Sequence, residues 1–139
     1  MKTFAVATTI HATPDRLWRI LTDLAAYPRW NPTVTKVDGQ IAPGARIVVQ
    51  VAINPGRAFP VTVSQLEPST RMVWSGGMPL GLFTGTRTFT LTPRGDGNTE
   101  FAMREEYRGL LAVLIGRSIP DLQPAFDEFA AALKREAES

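Results

Sequence analysis

Between Leu82 and Gly109 the chain reads LFTGTRTFTLTPRGDGNTEFAMREEYRG, two long alternating arms joined at Arg94-Gly95-Asp96-Gly97-Asn98. In the first arm Thr84, Thr86, Thr88, Thr90 and Thr92 alternate with Phe83, Gly85, Arg87, Phe89 and Leu91. In the second, Phe101, Met103, Glu105 and Tyr107 alternate with Glu100, Ala102, Arg104, Glu106 and Arg108. Side chains along a strand point to opposite faces in turn, so the odd-numbered residues of both arms share one apolar face. That face also carries Arg87 and Glu105. With the turn centred on Asp96, Arg87 opposes Glu105, Phe89 opposes Met103 and Gly85 opposes Tyr107. A slip by two residues in one arm leaves the charges diagonal but still within reach. Two charges on an otherwise apolar wall need a reason, and the reading taken here is a ligand cavity in front of it.

A hairpin this long belongs to a larger sheet, and the sheet needs a cover. The 139 residues are enough for one domain, residues 1–139, with a real core, and the 44% hydrophobic and 20% charged fractions are ordinary for a globular chain. A net charge of +2 comes from scattered Lys and Arg, which leaves no electrostatic footprint for nucleic acid or an acidic membrane. Absence of cysteine excludes disulfides, thiolate nucleophiles and sulfur-ligated metals, and suits the cytoplasm. The threonines of MKTFAVATTIHATPD interrupt any signal-peptide core. Leu110 to Ile115 is too short to span a bilayer, so no stable membrane insertion is expected.

The rest of the chain supplies the sheet and its cover. Phe4, Val6, Thr8 and Ile10 alternate with Ala5, Ala7, Thr9 and His11 in a first strand over Thr3 to Ala12. Thr13-Pro14-Asp15 then reads as the capped start of a helix with Leu17, Ile20, Leu21 and Leu24 inward and Trp18 beside them. Its end is placed near Ala25, because Pro28 disfavours helical geometry at Tyr27. Tyr27 to Pro32 is a turn or irregular helical segment. Further strands are predicted over Val34 to Val37, over Ile47 to Ile53, from Phe59 to Leu66 and from Arg71 to Gly76. Gly76 to Gly81 reads as a flexible loop, either a plain connection or a lid lined by Met78, Leu80 and Leu82. Leu122, Phe126, Phe129 and Leu133 mark a helix over about Asp121 to Glu136. Strands joined by short turns pair antiparallel, so the prediction is one curled sheet gripping the last helix.

Several short motifs carry a resemblance. Ile10-x-Ala12-x-Pro14-x-x-x-Trp18, Leu21-x-Asp23 and Tyr27-x-x-Trp30-x-Pro32 resemble the opening of the START-like, birch-pollen-allergen-like (SRPBCC) superfamily. Leu66-x-Pro68 before Trp74-x-Gly76, and Gly109-Leu110 after the hairpin, fit its polyketide cyclase/dehydrase and lipid-transport branch. The resemblance covers nearly the whole chain. It implies an α+β helix-grip fold: about seven antiparallel strands around a long C-terminal helix, with two short helices after strand 1. It also implies an apolar cavity for lipids, sterols, polyketides or aromatic compounds. Some members are enzymes and others act on protein partners, and no catalytic residue is common to all.

Within that frame Arg87 and Glu105 are either a structural ion pair closing the cavity or a polar anchor for a ligand carboxylate, carbonyl or hydroxyl. A carboxylate beside an Arg is held ionised, which favours binding over acid catalysis. Tyr107 is the next polar handle. Trp74, Phe89, Leu91, Met103, Ile47, Val49, Val51, Phe126 and Phe129 are expected to form the wall. Trp30 packs against the core or the cavity rim. His11, the sole histidine, lies on the outward parity, so neither a metal site nor a Ser-His-Asp triad is expected, and no cofactor is called for. The expected partner is a small hydrophobic molecule, the protein being a monomer or homodimer. Two alternatives stand: a cyclase or dehydratase moving protons with Glu105 or Tyr107, and an interaction module with a vestigial cavity, acting through an exposed sheet edge or the helix 110–119 around Ile115 and Ile119.

Overall fold

The computed structural model describes residues 2–78, 80–112 and 120–139 of the chain, without the side chain of Met78. Its strands are β1 (Lys2–Ile10), β2 (Val34–Asp38), β3 (Arg46–Val51), β4 (Ala58–Glu67), β5 (Arg71–Met78), β6 (Phe83–Gly95) and β7 (Asn98–Arg108). Helix α1 (Pro14–Thr22), a 3-10 turn (Leu24–Ala26) and α2 (Tyr27–Trp30) lie between β1 and β2, and α3 (Gln123–Glu138) ends the chain. All neighbouring strands pair antiparallel in the order β1-β7-β6-β5-β4-β3-β2. Only β1 makes a long-range step in that order, because the chain must pass through every other strand before β7 returns to pair with it.

Local chemistry accounts for the elements. Thr13 caps α1 by accepting a hydrogen bond from the Arg16 amide at 3.2 Å, and Pro14 opens the first turn, where its missing N–H costs nothing. Helix α3 buries Phe126, Phe129, Ala130 and Leu133 against the sheet. Its C-terminal carbonyls, orphaned by helix geometry, are met from outside: Arg16 Nε donates to Ala137 O at 2.9 Å. The Lys134 ammonium donates to Thr9 O at 2.7 Å, and the His11 amide donates to Glu138 Oε2 at 2.8 Å. That end of α3 is therefore fastened to both α1 and β1. His11 itself is exposed, as its parity predicts.

Four expectations are corrected. Tyr27 is helical, at φ −51° and ψ −49°, despite preceding Pro28. The 3-10 turn delivers the chain into that conformation, and the Tyr27 hydroxyl donates to Leu21 O at 2.6 Å, which fixes the fully buried ring. Helix α1 stops at Thr22, short of Ala25, where the 3-10 turn takes over. Ile53 lies beyond β3 and is 49% exposed, so the strand's apolar alternation ends at Val51. Gly76 to Gly81 is not a free loop, because Gly76, Gly77 and Met78 pair with Gly85, Thr84 and Phe83. The glycines there answer a close approach: a Cβ on Gly77 would lie 2.3 Å from Phe83 O, and one on Gly76 2.6 Å from Pro60 O. Leu80, read as a lid's inner surface, is 93% exposed. Residues 113–119, with Ile115 and Ile119 of the interaction-module reading, lie outside the described residues, as does the Met78 side chain.

Candidate functional site

The hairpin pairs in the register set by a turn at Asp96: Arg87 opposes Glu105, Phe89 opposes Met103 and Gly85 opposes Tyr107. Arg87 Nη2 lies 3.4 Å from Glu105 Oε2, the two side chains being 20% and 14% exposed. The Tyr107 hydroxyl donates to the same oxygen at 2.7 Å. Burial, and then the negative charge of Glu105, push the Tyr107 phenol well above its ordinary value, so it stays a proton holder and a donor. The Arg87 guanidinium carbon sits 4.8 Å from the centre of the Phe126 ring, on α3. Tyr107 stacks on Phe83 at 5.6 Å and 12°. Gly85 makes room for this ring, since a Cβ there would meet Tyr107 Cε1 at 3.1 Å. Three polar side chains are thus held by neighbours on β6, β7 and α3.

Burial changes along the hairpin's inner face. Leu91, Phe101, Phe89 and Met103, toward the turn, are buried, whereas Arg87, Glu105, Gly85, Tyr107 and Phe83 are only partly so. The inner face is closed at the turn end and reachable at the other.

The remaining predicted residues come together as a packed aromatic layer. Trp74 meets Phe89 at 4.8 Å, Trp30 meets Phe129 at 5.7 Å, and Phe129 meets Phe89 and Phe101 at 6.1 Å each. Val49 and Ile47 are buried and Val51 is partly buried. Rings fill the middle of the grip, where an open cavity was expected. Two clefts of the described residues lie elsewhere. One of about 480 Å³ runs between Trp18, Asp23, Ile41 and Leu66. Another, of about 220 Å³, lies beside Trp30 and Glu136.

Sequence reasoning missed three participants. Tyr27 touches Trp30, Trp74 and Phe129, and Phe4 touches Tyr107 and Phe126. Asn31 is fully buried, its Oδ1 accepting from the Thr33 amide and hydroxyl. Phe4 could have been found from its inward parity on β1, which pairs it with Glu105. Tyr27 enters only through the Tyr27-x-x-Trp30-x-Pro32 resemblance, and spacing assigns no contact to it or to Asn31.

A seven-stranded antiparallel sheet gripping a C-terminal helix places the chain in the helix-grip α+β class. The chain belongs to the family described as polyketide cyclase / dehydrase and lipid transport, whose sequence model matches residues 1–138. No curated protein matches it. Among solved structures it is similar to a protein from Mesorhizobium loti at 24% identity and TM-score 0.73, over 96% of this chain and 95% of that one. A START superfamily protein from Mycobacterium smegmatis matches at 16% identity and TM-score 0.72, over 98% and 97%. The di-domain ARO/CYC protein BexL of the BE-7585A biosynthetic pathway matches at 19% identity and TM-score 0.72, over 97% of this chain and 46% of that one. Among the described residues, no helix is long and apolar enough to cross a membrane.

Proposed function

We propose that the protein binds a small hydrophobic or amphipathic molecule between the sheet and α3, as a carrier or sensor. Its polar end lies against Arg87, Glu105 and Tyr107, and its apolar body against Phe126, Phe89, Met103 and Trp74, with Trp30 and Phe129 behind them. The observation that carries this reading is the partly accessible Arg87–Glu105–Tyr107 cluster on an inner face that is otherwise apolar. Pockets for small molecules combine such a wall with a few convergent polar groups. The arrangement suits binding better than proton transfer: Tyr107 holds its proton on Glu105, and Glu105 is engaged by two donors.

Native mass spectrometry of freshly purified protein is the direct test. A bound small molecule released on denaturation is expected, and Arg87→Met should weaken its retention while the far-ultraviolet circular dichroism is unchanged. A protein that purifies empty, and from which no apolar fluorophore reports an internal site, removes the reading.

A further inference from the structure

Among the described residues, every buried side-chain polar atom without a protein partner is a nitrogen: Trp30 Nε1, Asn31 Nδ2, Arg71 Nε, Trp74 Nε1 and Arg87 Nε. Arg71 lies on the outward parity of β5, beside Val73, and is set aside. The other four belong to residues linked to one another by strand pairing, ring contacts and sequence. Trp74 pairs in register with Arg87 across β5 and β6. The Trp74 ring lies 6.2 Å from that of Tyr27, which lies 5.0 Å from Trp30, and Asn31 follows directly. Trp74 is 4% exposed and Trp30 7%. A buried donor with no acceptor costs free energy comparable to a lost hydrogen bond, so a set of such donors is a feature to be matched from outside the protein.

From this donor set, and resting on the binding reading above, we infer that the ligand is an uncharged, carbonyl-bearing apolar molecule, with an acceptor oxygen at Arg87 Nε and Trp74 Nε1. The charge at the site argues for neutrality. Arg87 already has its counter-ion in Glu105, so a ligand carboxylate gains no unpaired cation and meets a like charge at close range. An ammonium group would be set against these donors and repelled by the Arg87 cation, and the one anion near it, Glu105, is already engaged by Arg87 and Tyr107. A hydroxyl or a water brings hydrogens of its own to a surface whose unmet atoms are all donors, whereas a carbonyl oxygen has two lone pairs and no hydrogen. Arg87 Nη2, held by Glu105, fixes the guanidinium plane and with it the aim of Nε. The indole N–H of Trp74 is fixed by packing on Phe89.

A matched set on one flat skeleton tests this: 2-acetonaphthone, 2-naphthoate, 2-naphthylmethylammonium and 2-ethylnaphthalene, each competing with Nile red. One net hydrogen bond is worth about a three- to ten-fold change in affinity, so the ketone should bind about ten-fold more tightly than the ethyl compound. The carboxylate and the ammonium should both fall behind the ketone. Trp74→Phe should lower the ketone's affinity more than the ethyl compound's, removing most of the ratio between them, since both lose the same ring contact but only the ketone loses an N–H partner. Should that variant unfold, the wild-type protein gives the same information: one of its three indole N–H resonances should shift downfield with the ketone and stay in place with the ethyl compound. Equal binding of ketone and hydrocarbon, or tightest binding of either charged compound, overturns the inference and leaves the binding reading standing. If neither Nile red nor any of the four compounds binds, the binding reading itself fails, and this inference with it.

Discussion

Removing Arg87 isolates the interaction on which the site depends. In Arg87→Met the Glu105 carboxylate keeps the Tyr107 hydroxyl but loses its counter-ion, while the methionine stem still packs on Phe126. Breaking a fully buried pair costs about 3–5 kcal/mol, and an exposed one is worth at most about 1 kcal/mol. With side chains 20% and 14% exposed and a separation of 3.4 Å, this pair falls between those limits, at about 2 kcal/mol. For 139 residues an unfolding entropy of about 2.1 cal/mol/K per residue converts that to a melting temperature lower by about 7 °C. Glu105→Gln should cost less, about 1 kcal/mol, because the long Arg87 side chain can turn toward solvent from a partly exposed position. The double variant leaves no uncompensated charge, so it should be less destabilised than the two singles together, by about 1.5 kcal/mol. Urea unfolding followed by circular dichroism, with equal slopes for all four proteins, measures this. Strict additivity, within about 0.5 kcal/mol, would refute the reasoning, because two groups that add independently do not form a site.

Two further outcomes are expected. The chain has two tyrosines, and both are pushed above the ordinary phenol value of 10.0, Tyr27 by burial and Tyr107 by burial and then Glu105. Folding favours their neutral forms, so their contribution to stability is complete below pH 10.0 and declines as the pH rises beyond it. Phenolate absorbance should therefore appear together with unfolding, and either tyrosine titrating near 10.0 in a folded protein contradicts the placement. Alanine substitution should separate Gly81, at a positive φ in open space, from Gly77, which combines a φ of +142° with a close approach. Gly81→Ala, at φ +69° with nothing within 4 Å of the new Cβ, should cost about 1–2 kcal/mol. Gly77→Ala, with its Cβ 2.3 Å from Phe83 O, should cost several-fold more in melting temperature, and equal effects would mean that β5 and β6 do not approach as closely as described.

The register of the long hairpin was legible because two independent signals agreed: alternation in both arms, and a glycine on each side of Asp96. The inward stripe of α3 was legible for the same reason, with Phe126, Phe129 and Leu133 on one face. Failures fell where tertiary structure overrides a local rule. Glycine pairs ordinarily weaken strands, so Gly76-Gly77 reads as loop, and only the nearness of Pro60 and Phe83 explains why β5 continues through them. Pre-proline sterics argue against a helical Tyr27, yet a buried hydroxyl bond and three ring contacts outweigh that preference. Periodicity also names which rings face inward without saying how far they reach, so the filled centre around Phe129 was not foreseeable from spacing.

How α3 is fastened explains why the polar cluster sits where it does. Near its C-terminus the helix is tied by Arg16 to Ala137, by Lys134 to Thr9 and by Glu138 to the His11 amide. Near its N-terminus one such bond, from Gln123 to Ala5 O at 2.8 Å, is joined by ring contacts: Phe126 lies against Phe4 and under Arg87. At that end Asp121 Oδ1 accepts from the Gln123 amide at 3.0 Å. Three directional bonds tie the helix to α1 and β1 at one end, against one such bond and ring contacts at the end beside Arg87 and Glu105, which is therefore the more deformable of the two. Ring contacts can slide at small cost, whereas each directional bond between the helix and its neighbours must be broken before the two can part. On the binding reading proposed above, a molecule entering between sheet and helix would meet least resistance where the inner face offers its charged and donor groups.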